Sequence, residues 1–365
     1  MGLHNARFET AAQNVLRVLR TCLGLSLVVI VFVAALPSSH AANPQAWEAF
    51  KQSFILSDGR VLDTANNNIS HSEGQGYAML LAVTFDDPAT FARVWSWTER
   101  TLRVRDDGLI VWRFDESLED PTADLNSASD GDILIAWALA RGAWQWGNVE
   151  YLREARALAI AVRRHLIRDL NGTLLLLPGP EGFAFPDRIV LNPSYWVFPA
   201  FQDLMVIDPS DVWLRLIDSG VALLRRARFG QTNLPPDWFA ITPDEQLRLD
   251  EEFPTTFGYN NIRIPLYYVW AGFRDPGTLA PIRTLWAEGG RTWPMVVDVS
   301  NGVVEESNPF QGVDAIVALM DCVLDGQQMP RNVWSPRRDE HYYSVGLLLL
   351  AQVAASERYP RCLSG

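Results

Sequence analysis

Two acidic side chains of this 365-residue chain stand in surroundings that set them apart, Glu73 and Asp130. Glu73 lies in His71-Ser72-Glu73-Gly74-Gln75-Gly76-Tyr77 and Asp130 in Ala128-Ser129-Asp130-Gly131-Asp132, runs of small and polar residues. Two carboxyl groups facing across a cleft can divide acid–base work. One, kept protonated, donates to a leaving oxygen, while the other activates water or attacks; glycosidic bond cleavage uses such a pair roughly 5 to 9.5 Å apart. Gly74 and Gly76 cost a helix stability, which marks a place where substrate or another backbone approaches closely. Two further segments add amides, rings and a cation: Asn192-Pro193-Ser194-Tyr195-Trp196 and Phe257-Gly258-Tyr259-Asn260-Asn261-Ile262-Arg263. The plainer reading of Ser72, Asp130 and Asn192 is helix capping, which needs no chemistry.

The elements that must position these residues are helical. Leu152, Ala155, Ala159, Val162 and Leu166 form a 3-4-3-4 apolar stripe in a segment otherwise carrying Arg and Glu, and it ends before Asn171-Gly172. Similar stretches begin near Gln45, Glu73, Pro88, Ser129, Val149, Asn192, Ser210, Asn260, Pro276, Phe310 and Glu340. That predicts eleven or twelve helices, with almost no period-2 alternation to indicate strands. Sequential helices joined by short loops pack antiparallel, so the starts of alternate helices gather at one end. The second, fourth, sixth and eighth open with the four segments above, which places their polar residues on a single face. No linker, charge block or repeat divides the chain after its first segment, so residues 42–365 are expected to form one domain.

Residues 1–41 read as an export signal to be removed: Arg7, Arg17 and Arg20 precede an uncharged run from Cys22 to Leu36, and Ser39-His40-Ala41 offers a cleavage site. The expected location is therefore the periplasm or the extracellular space, with no membrane attachment once the signal is cleaved. Retention as an anchor stays open, as does a Cys322–Cys362 bond. With 31 basic against 43 acidic residues and a net charge of −12, broad binding to nucleic acid or to an anionic surface is excluded. Fourteen Trp and nine Tyr exceed what a core of this size needs, so some rings are expected to stack on flat neutral ligands such as sugars. His71, His165 and His341 have no nearby His or Cys, and no phosphate loop or dinucleotide fingerprint occurs, so neither metal nor cofactor is expected.

Ser72–Met79 and Ala128–Ala138 resemble the two signature segments of glycoside hydrolase family 8, in order and at the expected separation. Asn192-Pro193-Ser194-Tyr195 and Tyr342-Tyr343-Ser344-Val345-Gly346-Leu347 resemble two further blocks of that family. The resemblance implies an all-α (α/α)6 barrel with an open cleft across the helix starts, and an endo-acting, inverting hydrolase of β-1,4-glucans. The group most similar in these segments is the exported endoglucanases that accompany bacterial cellulose synthesis, so the synthase machinery is an expected partner of an otherwise monomeric protein. By position, Glu73 matches the family's general acid and Asp130 the Asp at the sugar being cleaved. Arg263 matches a residue contacting sugar or the acidic pair, although a plain salt bridge to Asp130 or Asp132 is its alternative. Trp112, Tyr195, Trp196, Tyr342 and Tyr343 are the expected sugar platforms.

The chain departs from the family pattern at Asn260, where the main branch carries the Asp that serves as base for water. A neutral amide cannot take that place, so another carboxylate must: Asp130 ranks first, then Glu252, Glu251 and Asp250. The alternatives are a chitosanase or xylanase of the same family, or a non-catalytic glucan-binding component of a synthesis complex.

Overall fold

The computed structural model describes residues 42–287 and 292–363; the expected signal segment, residues 1–41, lies outside them. Eleven α-helices occur among the described residues: α1 (Pro44–Phe54), α2 (Ser72–Thr84), α3 (Pro88–Leu102), α4 (Ser129–Trp146), α5 (Val149–His165), α6 (Phe198–Ile207), α7 (Val212–Arg226), α8 (Ile264–Trp270), α9 (Pro276–Ala287), α10 (Gln311–Asp325) and α11 (Tyr342–Arg358). Their starts follow local chemistry. Asn43 and Asp87 cap α1 and α3 with side-chain oxygens, each followed by Pro in the first turn, and Asn148 caps α5.

Burial divides the helices into two sets. In α2, α4 and α11 nearly every residue is buried, as expected of helices apolar all round, whereas α3, α5 and α7 bury one face and expose the other. Helix α2 packs on α4, α4 on α6, α6 on α8, α8 on α10, α10 on α11 and α11 back on α2, so six helices close a ring. Outside it, α1 lies on α11, α3 on α2, α5 on α4, α7 on α6 and α9 on α10. Alternation therefore holds as far as α10. Between α10 and α11 only a 3-10 turn, Arg331–Val333, occurs, so α11 joins the ring although it is odd in sequence. Cys322 at the end of α10 is disulfide-bonded to Cys362 beyond α11, which resolves the pairing left open by spacing.

Among the described residues ten short strands lie in the loops, a feature the sequence pattern hid because runs of two to six residues are too short to display alternation. They frame the entrances to the ring. Strand β1 (Ser70–His71) pairs with β2 (Arg113–Phe114) immediately before α2. After the hairpin β3 (Ile167–Leu170) and β4 (Thr173–Leu176), β5 (Ile189–Leu191), β6 (Phe239–Ile241) and β7 (Leu247–Arg248) form one antiparallel sheet. The other comprises β8 (Thr256–Phe257), β9 (Trp293–Asp298) and β10 (Val304–Asn308), with β9 central. Strand β5 delivers Asn192 and β8 delivers Gly258-Tyr259-Asn260 to the same end of the ring.

Candidate active site

Helices α2 and α4 approach so closely at their starts that side chains are excluded between them. A Cβ on Gly76 would lie 2.6 Å from Leu134 Cβ, and one on Gly131 would collide with Ser72 Oγ and lie 3.0 Å from Glu73 N. The glycines thus admit a neighbouring helix rather than a ligand. The same contact sets Glu73 beside Asp130. Neither Ser72 nor Asp130 is an N-cap: His71 caps α2, its Nδ1 accepting from Gly74 N at 3.1 Å, and α4 starts after Ala128 with no side-chain cap. Asn192 does cap, but only the 3-10 turn Pro193–Tyr195; α6 itself begins at Phe198.

Arg263, 1% exposed, gathers these starts. Its Nη1 lies 2.5 Å from Glu73 Oε2 and 2.8 Å from Asp130 Oδ2, so both salt bridges form on one nitrogen. Its Nη2 donates to Ser194 Oγ at 2.9 Å and Asn260 Oδ1 at 3.0 Å, and its Nε donates to the Asn260 carbonyl at 3.1 Å. Burial raises the Asp130 carboxyl above its ordinary range, Arg263 opposes this, and the Glu73 charge pushes it up again. Asp130 has both oxygens engaged, since Oδ1 accepts from Gly131 N at 2.8 Å. Glu73 differs: its Oε1 is buried and has no hydrogen-bond partner. Such an orphan acceptor at a cleft wall calls for a partner from outside the protein.

A cleft of about 450 Å³ opens over this cluster, lined by Glu73, Asp130, Arg263, Trp112, Tyr195 and Asn260, with Asp63, His71, Tyr259 and Tyr343 among the other walls. Trp112 is placed from both ends: its carbonyl accepts from Ser72 N at 2.9 Å and its Nε1 donates to Asp124 Oδ2 at 2.7 Å. Tyr343 donates to the Tyr259 carbonyl at 2.7 Å. Asp63 stands 3.4 Å from His71 Nε2; burial opposes a charge on His71, but Asp63 and Glu73 outweigh it and raise its pKa.

Two expected platforms are corrected. Trp196 is 2% exposed, donates Nε1 to Leu216 O at 3.1 Å and fills the space over Gly220. Tyr342 is 1% exposed and packs among Phe50, Phe54 and His71. Each is adjacent in sequence to a ring that does line the cleft, and a step of one residue turns a side chain away. The acidic run is corrected too. Asp250 accepts from Arg188 Nε at 2.6 Å and Glu252 lies 3.2 Å from Arg188, in a separate recess with Asp187, Arg248 and Glu251. Asp132 is structural: it accepts from Ile110 N at 2.9 Å and from Ser127 Oγ, and burial raises it to about 8. Asp237, which sequence reasoning passed over, contacts Asn260 behind the cleft wall.

The sequence matches the family described as "Glycosyl hydrolases family 8" over residues 22–357. The chain belongs to glycosyl hydrolase family 8. As a family 8 member it is a glycoside hydrolase, and its relatives agree. It is 37% identical over 309 residues to an endoglucanase of Cellulomonas uda, covering 84% of each chain. It is 34% identical to a probable endoglucanase of Novacetimonas hansenii, covering 87% of this chain and 92% of that one. A family 8 endoglucanase structure from Klebsiella pneumoniae superposes with a TM-score of 0.78 at 37% identity, over 86% of this chain and 100% of the other.

Proposed function

We propose that this family 8 hydrolase cuts internal β-1,4 bonds of glucan chains with inversion, using Glu73 as general acid. The observation that carries the reading is the orphan Oε1 of Glu73 in a cleft walled by Trp112, Tyr195 and Tyr343. That oxygen is the one left to carry a transferable proton, because Oε2 is committed to Arg263. Asp130 locks Arg263 and shapes the floor beneath the sugar being cleaved. The ring of six helices with five outside it supports naming the architecture an (α/α)6 barrel, one outer position being reduced to a 3-10 turn. Endoglucanase relatives favour glucan over chitosan or xylan as the substrate. Residues 1–41 support export.

Reducing-end release from carboxymethylcellulose, compared with chitosan and xylan, tests the reading; release from neither carboxymethylcellulose nor another β-1,4-glucan would reject it. The platform assignment has its own outcome. Trp112→Ala is expected to weaken cello-oligosaccharide binding by about 1 to 2 kcal/mol through lost ring burial. Trp196→Ala is expected to leave affinity unchanged and to cost about 3 to 5 kcal/mol of stability as a core cavity. Titration calorimetry and urea denaturation of both variants separate the two roles.

A further inference from the structure

A water that attacks the sugar opposite Glu73 has to lose a proton, and the carboxylates on the cleft wall are poorly placed to take it. Asp130 shares an Arg263 nitrogen with the acid and has no free oxygen. Asp63 stands with His71, two residues from Glu73, on the acid's own side. In the order of the ring, α2 and α8 are opposite members, and of the residues that lead into α8, Tyr259, Asn260 and Arg263 line the cleft.

Behind Asn260 lies Asp237. Its Oδ1 accepts from Gly258 N at 2.9 Å and Asn261 N at 3.1 Å, and its own N–H is held by Thr256 O at 2.7 Å, so the carboxylate is fixed. Its Oδ2 has one partner, Asn260 Nδ2 at 3.4 Å, a long contact that leaves the oxygen under-used. Space for Oδ2 exists only because residue 258 is glycine: a Cβ there would lie 2.7 Å from it. Asp237 is 7% exposed, and burial raises it to about 6 against the two backbone amides, Asn260 and the more distant Arg263. A buried carboxylate held ready for a proton, one amide away from the cleft, has no evident structural need for that second oxygen.

We propose that Asp237 is the terminal proton acceptor of the hydrolysis, reached from the cleft through the side-chain amide of Asn260. This rests on the glucan-hydrolase reading above. In the step, the water oxygen bonds to the anomeric carbon while the glycosidic C–O bond breaks and Glu73 protonates the leaving oxygen. The water proton passes to Asn260 Oδ1 as the Nδ2 proton passes to Asp237 Oδ2. Asn260 is left as its imidic tautomer and Asp237 as the neutral acid. Arg263 takes one lone pair of Asn260 Oδ1 and so fixes the amide with its Nδ2 turned toward Asp237, leaving the second lone pair of Oδ1 for the water proton. After product leaves, Asp237 returns its proton to Asn260 nitrogen, Oδ1 releases one to solvent, and Glu73 takes one up from solvent.

Cellopentaose hydrolysis tests this in four variants. Asp237→Asn and Asn260→Ala are each expected to lower kcat by about 10²–10⁴-fold with KM changed less than about threefold. Asn260→Asp alone is expected to stay active, and adding it to Asp237→Asn is expected to restore kcat to within about tenfold of wild type, because a carboxylate then faces the water directly. Azide, a nucleophile that needs no base, should accelerate both damaged variants and yield the α-configured glycosyl azide. Activity of either Asp237→Asn or Asn260→Ala within tenfold of wild type would overturn the relay. So would an inactive Asp237→Asn that binds cellopentaose normally yet is not restored by Asn260→Asp. If Asp237→Asn does not fold, Asn260→Ala with azide decides alone, since it leaves the buried carboxylate in place. A wild type without activity on any β-1,4-glucan overturns the underlying function instead, so the two failures are distinct.

Discussion

Glu73→Gln is expected to slow cellulose-chain hydrolysis by about two to four orders of magnitude while leaving oligosaccharide affinity within a factor of about three. The amide preserves the size of the side chain and can still present an oxygen to Arg263 Nη1, so the packed starts of α2 and α4 need not move. What disappears is the transferable proton at the position of Oε1, the atom that makes no bond within the protein. Loss of affinity together with rate would mean that the substitution disturbed the Arg263 cluster rather than the proton transfer. The check is kcat and KM on cello-oligosaccharides beside titration of the same ligands into the variant. Activity within tenfold of wild type would assign the acid elsewhere.

How far the sequence disclosed this site follows from what periodicity and local chemistry encode. Helix starts such as Pro88, Val149 and Pro276 were legible because caps and prolines act within a few residues of them. The convergence of Glu73, Asp130, Tyr195 and Asn260 was legible from alternation alone, since antiparallel neighbours put every second start at one end. The facing of individual rings was not. Helix α11, like α2 and α4, is buried over most of its surface, so no stripe reveals which side of it meets the cleft, and Tyr343 rather than Tyr342 proved to line it. Asp237 was missed for a different reason: it sits between Pro236 and β6, not at a helix start, and reaches the site only through the loop that carries Gly258 and Asn260. The acidic run Asp250–Glu252 looked more conspicuous in sequence, but Asp250 and Glu252 pair with Arg188 away from the cleft.

Arg263→Met is expected to cost about 3 to 5 kcal/mol of stability near neutral pH, beyond its effect on turnover, because it leaves the Asp130 carboxylate and the acceptors around it unpaired at the centre of the ring. Met keeps much of the buried volume and removes the charge and every donor. Glu73 Oε2, Asp130 Oδ2, Ser194 Oγ and two oxygens of Asn260 all lose their partner together. Arg263→Lys should recover only part of the loss, since a single ammonium cannot span acceptors that a planar fork reaches at once. The pH dependence gives the mechanism. Arg263 is the influence that holds Asp130 down against burial, and it also lowers Asp237, so its removal raises both carboxyl groups further in the folded state. An acid whose folded pKa exceeds its unfolded value of about 3.9 stabilises the fold below that value, and this contribution is lost as pH rises through the folded pKa. The deficit of Arg263→Met relative to wild type should therefore shrink toward about pH 5 and widen toward about pH 8. Asp132, raised to about 8 by its own burial, is common to both proteins and cancels from the difference. Urea denaturation of the two proteins at both pH values measures it, and an equal deficit at both would mean that Arg263 contributes packing rather than charge compensation.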